Sequence, residues 1–305
     1  MSVETPVNET EWTIGRLLTW TSDYLASNGV EEARLASEVL LAHALECRRI
    51  DLYARSSEFA DDAPLVRFRE LVRRAVSLEP IAYLVGSKEF FSLSFVVTGD
   101  VLIPRPETET LVEVVLDLCK QAGWSQPRIL DVGTGSGCIC VTLLKNLKNA
   151  VAVGTDVSLD ALEVARGNAE RHGVADRMTL VEADRLALPE DAAPAGGFHV
   201  VVSNPPYVPK AEVETLPPTV RNYEPMAALC DGEDGLSFYR SLSAGALRIL
   251  TPDGVMALEV GDDQAPTVVE TVLNTGRWRH QATVKDRVVG QDRVIVFAPD
   301  RSSEE

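Results

Sequence analysis

Short apolar segments alternate with helical segments from Arg128 onward, and this alternation constrains the fold more than any other feature of the 305-residue chain. Each segment has the length and apolar content of a buried strand. Strands that alternate with helices form a mostly parallel sheet covered by helices on both faces. The sequence therefore predicts an α/β domain with strands at residues 128–132, 151–156, 178–182, 199–203, 254–260, 281–286 and 293–298.

The fourth predicted strand ends in an unusual tetrad, Asn204, Pro205, Pro206 and Tyr207. Consecutive prolines lack N–H donors and fix φ, so the chain cannot continue a sheet ladder and leaves the strand as a stiff segment. Ligands bind at the carboxyl ends of strands in open α/β sheets. An amide, bare carbonyl groups and a flat ring together suit a planar group that carries N–H bonds. A tight turn that caps the strand is the simpler alternative.

A glycine-rich loop follows the first strand and reads Asp131-Val132-Gly133-Thr134-Gly135-Ser136-Gly137. Glycines permit a tight turn and the close approach of a ligand to the backbone. The G-x-G-x-G spacing differs from the G-x-G-x-x-G fingerprint that binds a dinucleotide pyrophosphate. An acid directly before the loop would repel a pyrophosphate and attract an ammonium group.

Acidic residues also follow the next two strands, Asp156 after the second and Asp184 after the third. A carboxylate at the end of the second strand suits the hydroxyls of a ribose. One after the third strand can accept from the exocyclic amine of adenine. An ammonium, a ribose and an adenine without a phosphate describe S-adenosyl-L-methionine. The sequence thus predicts cofactor contacts at Asp131, Gly133, Thr134, Gly135, Ser136, Gly137, Asp156, Asp184 and Asn204.

The first part of the chain has helical spacing of its apolar residues from Thr13 to about Ser77, which predicts a small all-helical domain. Residues 1–10 are expected to form a loose polar tail, and 79–102 a β-hairpin or an extended connector. The last helical segment carries a run of arginines that is either a solvated face or a docking surface, namely Arg67, Arg69, Arg73 and Arg74.

Three further features lie near the predicted site. Arg105, Glu107 and Glu109 surround the start of a predicted helix, and they are either functional or form a helix cap with an ion pair. Residues 208–240 form a long insertion after the tetrad, which is a usual place for substrate contacts. Glu259 either lines the site or only ends the fifth strand.

The net charge of −17 bears on the partners of the protein. Binding to a phosphate backbone needs a basic footprint, so this charge argues against direct binding to DNA or RNA and favours a protein or a small molecule. No apolar run is long enough to span a bilayer, and the polar residues 1–11 do not resemble a signal peptide, so a cytoplasmic location is expected. The scattered cysteines predict no metal site.

Several of these segments together resemble the HemK family, the glutamine N5-methyltransferases that modify peptide chain release factors. The tetrad alone also occurs in enzymes that methylate the amino groups of adenine and cytosine in nucleic acids. The resemblance covers nearly the whole chain and rests on Pro80-Ile81, Tyr83 and Gly86, on the run from Leu102 to Glu109, on Asp131 to Gly137, on the tetrad, on Tyr223-Glu224-Pro225, and on Asp286, Gly290, Asp292 and Arg293.

The resemblance implies a helical substrate-docking domain at residues 1–88, a β-hairpin or extended linker at 89–102, and an S-adenosylmethionine-dependent methyltransferase domain at 103–305. The last would be a seven-stranded, mostly parallel, Rossmann-like class I domain. The implied substrate is the glutamine in the Gly-Gly-Gln loop of a release factor. Arg185 departs from the family pattern, because members often carry there a tryptophan that stacks on adenine. Its guanidinium can also stack on a flat ring, so Arg185 is a predicted cofactor contact as well.

The predicted catalytic residues are Asn204, Pro205, Pro206 and Tyr207. The side-chain oxygen of Asn204 and the main-chain carbonyl of Pro205 are expected to accept the two N–H bonds of the substrate amide, while Tyr207 packs against the amide plane. Three alternatives stay open: methylation of a ribosomal-protein glutamine, methylation of an exocyclic amine of a nucleic-acid base, and a cofactor-binding adaptor without enzymatic activity.

Overall fold

The computed structural model describes residues 12–190 and 192–300, and the chain divides into two compact units, residues 1–86 and 87–305. The polar tail expected at residues 1–10 lies outside the described residues. None of the helices in the described part of the chain is long and apolar enough to cross a membrane.

The first unit consists of helices that bury apolar stripes against one another. Thr13 begins the first helix, because its hydroxyl accepts a hydrogen bond from Arg16 N at 3.3 Å. Apolar residues three or four positions apart then face a shared core that includes Leu17, Leu40 and Phe68. The predicted all-helical character is confirmed: the described helices are α1 (Ile14–Ser27), α2 (Ala33–Ala44), α3 (Arg49–Ala54), α4 (Asp62–Val76) and α5 (Ile81–Val85).

The short helix α5 lies where the sequence predicted a hairpin or an extended connector, so that prediction was wrong for residues 81–85. The helix begins directly after Pro80 and ends at Gly86, which adopts φ +70°. Leu84 is buried in the core of the first unit. Periodicity alone cannot separate a strand from one turn of a buried helix in so short an apolar run.

A β-hairpin opens the second unit, which begins at Ser87, next to the predicted boundary at residue 88. Its antiparallel strands are β1 (Ser87–Phe90) and β2 (Leu93–Val96). The side chain of Asn168 holds the hairpin, because it bonds Val96 N at 2.8 Å and Val96 O at 3.0 Å. The same amide donates to Ser136 O at 2.9 Å, which ties the hairpin to the glycine loop.

The main sheet has seven strands within the described residues, in the order β5-β4-β3-β6-β7-β9-β8. The first five strands of that order pair in parallel, while β9 is antiparallel to both β7 and β8. The predicted mostly parallel sheet is therefore confirmed. Its strands are β3 (Arg128–Val132), β4 (Val151–Asp156), β5 (Met178–Glu182), β6 (Phe198–Ser203), β7 (Leu250–Glu259), β8 (Trp278–Lys285) and β9 (Asp292–Pro299).

Helices cover both faces of this sheet. One apolar core includes residues of α6 (Glu109–Ala122), α7 (Cys138–Asn146) and α8 (Leu159–Arg171). The core on the other face includes residues of α11 (Ser237–Gly245) and α12 (Ala265–Leu273). Two short helices, α9 (Pro218–Arg221) and α10 (Met226–Leu229), lie in the insertion after the tetrad.

The order of the strands reverses between β3 and β6. From β3 the chain moves to β4 and β5 on one side, and it returns as β6 on the other side. The glycine loop follows β3 and the tetrad follows β6, so both lie at the carboxyl edge beside this reversal. In open α/β sheets such a switch point is the place where ligands bind.

Candidate active site

The glycine loop after β3 is a tight turn whose backbone is held by hydrogen bonds to β4. Gly133 N and Thr134 N both donate to Thr155 O, at 2.9 and 2.8 Å, and Gly135 N donates to Asp156 Oδ2 at 3.0 Å. Gly133 and Gly135 adopt φ of +75° and +53°, a region that side chains disfavour. A Cβ added to either glycine would meet no atom within 4 Å, so the front of the loop is open to a ligand.

Asp131 lies fully buried behind the loop. Its Oδ2 accepts from the Thr134 hydroxyl at 2.7 Å, and its Oδ1 has no hydrogen-bond partner among the described residues. Burial raises the pKa of the Asp131 carboxyl to about 6. A carboxylate in this place favours positive charge on a ligand in front of the loop.

A cavity of about 290 Å³ opens in front of the loop. Six of the predicted site residues line it: Gly133, Gly135, Asp156, Arg185, Asn204 and Pro206. The remaining walls come from other parts of the second unit, namely Gly99 to Leu102, Val132, Val157, Ser158, Ala161, Ala183, Pro225, Ala227, Ala228 and Phe238. Residues distant in sequence thus meet at the switch point.

The other predicted site residues do not line this cavity. Five of them are buried around it, namely Asp131, Thr134, Ser136, Gly137 and Pro205. The side chain of Asp184 is 75% exposed and lies 3.8 Å from Arg185 Nε, and Tyr207 lines a neighbouring cavity instead. Their assignment to the cofactor or to catalysis stays a prediction.

Arg185 and Phe238 form one wall of the cavity together. The guanidinium carbon lies 4.6 Å from the centre of the Phe238 ring, and Nη2 donates to the Ser237 hydroxyl at 3.3 Å. Both groups are flat and suit an aromatic ring. Phe238 was not among the residues predicted from the sequence. Its only signal was its place in the insertion after the tetrad, since nothing local indicates that α11 returns to the glycine loop.

The tetrad is anchored on both sides. Ser203, directly before it, donates to Val132 O at 2.6 Å, and Asn204 Nδ2 lies 3.2 Å from Thr108 Oγ1. Tyr207 O accepts from Gln264 Nε2 at 2.9 Å. A Cβ added to Gly235 would lie 2.4 Å from Tyr207 O, so the insertion packs directly on the tetrad backbone. The segment is therefore held rigidly at the edge of the sheet.

A second cavity of about 630 Å³ lies on the Tyr207 side of the tetrad. The polar residues in its lining include Arg105, Glu107, Tyr207, Glu212, Glu259, Asp262, Gln264 and Arg293. Glu259 is buried, and its Oε2 has no hydrogen-bond partner among the described residues. Burial raises the pKa of Glu259 to about 7. Glu259 thus ends β7 and also lines this second cavity, but it does not line the cavity in front of the glycine loop.

Arg105 and Glu109 contact distant parts of the second unit. Arg105 forms an ion pair with Glu224, whose Oε2 also accepts from Ile103 N at 3.1 Å. Glu109 Oε1 accepts from Phe91 N at 2.7 Å, at the turn of the hairpin. An ion pair therefore exists at this segment, but its acid, Glu224, comes from the insertion rather than from the segment itself.

We expect Arg105→Met to lower the free energy of unfolding by about 2–3 kcal/mol, because it leaves a buried carboxylate without its cation. The Glu224 side chain is 1% exposed and the Arg105 side chain 32%. Urea denaturation followed by circular dichroism measures the change. Arg287→Met is the matched control, since Arg287 is exposed and pairs with Glu113 at the surface, where a pair contributes about 0–1 kcal/mol. Equal losses in the two variants would contradict the expectation.

Each of the two units matches a family of known proteins. Residues 16–86 match the family described as PrmC N-terminal domain, and residues 125–292 match a family described as methyltransferase domain. The release factor glutamine methyltransferase of Geobacter sulfurreducens is 44% identical over 87% of this chain and 90% of its own length. The chain belongs to the release factor glutamine methyltransferase family. The family member of Rhodopirellula baltica is 39% identical over 94% of this chain and 97% of its own length.

Solved structures support the fold of this family member. The hMettl16 catalytic domain in complex with MAT2A 3'UTR hairpin 1 has a TM-score of 0.55 at 17% identity, and the match covers 91% of each chain. The N-terminal domain of human METTL16 in complex with SAH has a TM-score of 0.51 at 18% identity, covering 91% of this chain and 94% of that one. The likeness at this identity concerns the fold alone. The predicted class I methyltransferase fold is confirmed.

Proposed function

We propose that this protein transfers a methyl group from S-adenosyl-L-methionine to the side-chain amide nitrogen of the glutamine in the Gly-Gly-Gln loop of a peptide chain release factor. The observation that carries the proposal is the place of the tetrad. Asn204 lines the cavity in front of the glycine loop, and Tyr207 lines the second cavity next to it. The tetrad thus stands between a donor site and an acceptor site. The names of the family members support the same reaction.

The residues of the first cavity fit S-adenosyl-L-methionine, which when bound supplies an electrophilic methyl group on a sulfonium. The open face of Gly133 and Gly135 admits a ligand against the backbone. The buried Asp131 carboxylate lies behind the loop, where its negative charge favours the ammonium end in front of it. Asp156 suits the ribose hydroxyls, and the flat wall of Arg185 and Phe238 suits adenine.

The tetrad holds the acceptor amide. The carboxamide nitrogen of Asn204 is engaged by Thr108, so its oxygen is the atom that can accept an N–H of the substrate glutamine. The carbonyl of Pro205 accepts the second N–H, and the Tyr207 ring packs against the amide plane. An amide nitrogen is a weak nucleophile, so alignment dominates, and positioning of this kind contributes roughly 7–11 kcal/mol to lowering a barrier. The products are the N-methylated amide, the neutral thioether and one proton.

The helical unit is the part that docks the release factor in this proposal. It carries a groove of about 340 Å³ between α1 and α4, with the basic Arg69 and Arg73 at its edge. Trp20 is 50% exposed there and stacks on Tyr24 at 4.9 Å. Exposed aromatic rings beside arginines have the composition of interface hot spots.

We expect Trp20→Ala to raise the KM for the release factor by roughly 10-fold or more, as truncation of an aromatic anchor does, while kcat stays near the wild-type value. Steady-state methylation with release factor as the varied substrate measures both constants. Ile50→Ala removes an exposed apolar side chain of the same unit that does not line the groove, and serves as the control. An unchanged KM in Trp20→Ala would exclude the groove as the docking surface.

The acceptor class is tested by competition. Purified release factor, ribosomal proteins and RNA are offered together with methyl-labelled S-adenosyl-L-methionine. We expect the label in the release factor. Label mainly in RNA or in a ribosomal protein would reject the proposed substrate.

A further inference from the structure

The second cavity has room for more of a substrate than one glutamine side chain. Its volume of about 630 Å³ lies in the range that holds a drug-sized ligand, roughly 300–1,000 Å³. Tyr207 of the tetrad lies in its wall, and the other walls come from the segment before α6, the insertion, the end of β7 and the start of β9. Residues that flank the glutamine of a bound substrate therefore reach this cavity as well.

The charged side chains of the second cavity are mainly acidic. Four carboxylates and two guanidinium groups line it, namely those of Glu107, Glu212, Glu259 and Asp262 and those of Arg105 and Arg293. Charges that face the same partly enclosed space add to one potential. The excess of carboxylates favours a cationic group in the cavity and disfavours an anionic one.

Both arginines of the cavity already have carboxylate partners. Arg105 pairs with Glu224, which does not itself line the cavity. Arg293 Nη2 lies 2.6 Å from Asp262 Oδ1, and Arg293 Nε lies 3.7 Å from Oδ2 of the buried Asp286. An anionic group of a substrate would therefore have to compete with these carboxylates for either arginine.

Three of the four acids have no cationic partner in the part of the chain that the structure describes. Glu107, Glu212 and Glu259 form no ion pair there, and Oε2 of Glu259 also has no hydrogen-bond partner. Glu212 is exposed, Glu107 is half-buried and Glu259 is buried, so their charges extend from the surface into the wall of the cavity. A long cationic side chain can follow such a series of carboxylates.

The buried carboxyl of Glu259 is the group that a cation would affect most. Burial raises its pKa to about 7, since the charged form loses the stabilisation that water provides. A positive charge in the same cavity replaces part of that stabilisation and favours the ionised form. A cationic substrate group and the Glu259 carboxylate thus stabilise each other.

We infer that the second cavity selects an acceptor in which a cationic side chain flanks the target glutamine, and that Glu107, Glu212 and Glu259 determine this preference. The inference rests on the proposed function, because it assigns this cavity to the acceptor. An ammonium or a guanidinium group fits the three carboxylates, since each carries several N–H donors and no acceptor. A carboxylate at the same place of the substrate is repelled.

The test uses release factor variants in which the residue directly before or directly after the Gly-Gly-Gln sequence is Lys, Ala or Glu. Steady-state methylation at saturating S-adenosyl-L-methionine measures kcat/KM for each variant. At one position or both, we expect the Lys variant to be the best substrate and the Glu variant the poorest. We expect about two- to fivefold between successive variants, as for ion pairs that are partly open to water.

Substitutions in the cavity identify the carboxylates that cause the preference. Glu107→Gln, Glu212→Gln and Glu259→Gln should each reduce the ratio between the Lys and Glu variants of the release factor. Glu212→Lys should reduce it further, because the acidic variant then gains a partner. Glu270→Gln, on the exposed face of α12 and outside the cavity, is the matched control and should keep the wild-type ratio.

Donor binding and thermal unfolding verify that each variant is folded, and the two substitutions of the exposed Glu212 carry the test if Glu259→Gln does not fold. Equal kcat/KM for the Lys, Ala and Glu variants at both positions would overturn the inference while the proposed function stands. A ratio that Glu212→Lys leaves unchanged would overturn it too. Absence of methyl transfer to any release factor by the wild type would overturn both the inference and the proposed function.

Discussion

Asn204→Ala is expected to lower kcat for methyl transfer to release factor by about 10²–10³-fold, the loss found when one fixed group that stabilises a transition state is removed. The substitution deletes the oxygen that accepts a substrate N–H, and it frees Thr108 from its 3.2 Å contact with Asn204 Nδ2. The walls that would hold adenine and ribose lie elsewhere in the cavity, at Phe238 and Asp156. The Kd for S-adenosyl-L-methionine should therefore change less than about threefold, or less than about 0.7 kcal/mol.

Single-turnover kinetics and calorimetric titration of the donor measure these two quantities separately. Asn274→Ala, at the exposed end of α12, is the matched control and should behave like the wild type. Asn204→Ala with wild-type turnover would show that the clamp is wrong. A large loss of donor affinity with unchanged turnover at saturation would instead place Asn204 in donor binding alone.

Asp156→Ala should instead affect binding of the donor. We expect it to raise the Kd for S-adenosyl-L-methionine about 10–100-fold, because hydrogen bonds to a charged group contribute about 1.5–3 kcal/mol. The carboxylate accepts from Gly135 N and from Ser158 N, both at 3.0 Å, and it lines the first cavity. Its loss removes a predicted ribose contact and loosens the glycine loop. Turnover at saturating donor should stay within about tenfold of the wild type, since the tetrad is unchanged.

Calorimetric titration of the donor provides the Kd, and the rate at saturating donor provides the turnover. Asp160→Ala removes the same charge from an exposed position on the following helix and controls for the change in net charge. An unchanged Kd in Asp156→Ala would remove Asp156 from the donor site. Together, Asn204→Ala and Asp156→Ala distinguish a residue that binds the acceptor from a residue that binds the donor.

The sheet was predictable from the sequence because a buried parallel strand is a local pattern. β3, β4 and β5 have the bounds that the alternation predicts, since each is a short segment with three apolar residues. The short helix at Ile81–Val85 was not predictable in this way. Five residues fit a strand as well as a helix, and tertiary packing of Leu84 decides between them.

The candidate site was predictable where a motif marks the end of a strand. Gly133, Asp156 and Asn204 do line one cavity, because the carboxyl ends of parallel strands meet at one edge. Contacts that join distant segments were not predictable. Glu224 meets Arg105 across 119 positions, and Phe238 reaches the glycine loop through the insertion. No local periodicity carries such information.

The surroundings of Glu259 and Asn204 illustrate the same point. The position of Glu259 at the end of β7 suggested a residue near the site, and the fold places it in the wall of the second cavity beside Arg105 from another segment. Only the fold shows that Asn204 Nδ2 lies 3.2 Å from the hydroxyl of Thr108, which directly precedes α6. The polar contacts of a site therefore depend on tertiary structure more than its location does.

The most direct measurement is mass spectrometry of purified release factor after incubation with this protein and S-adenosyl-L-methionine. Peptides that contain the Gly-Gly-Gln sequence are fragmented to locate any added methyl group. We expect one methyl group on the side-chain nitrogen of that glutamine with the wild type, and a strongly reduced yield with Asn204→Ala. A methyl group on another residue would contradict the proposed function. So would a release factor that stays unmodified although the protein binds S-adenosyl-L-methionine.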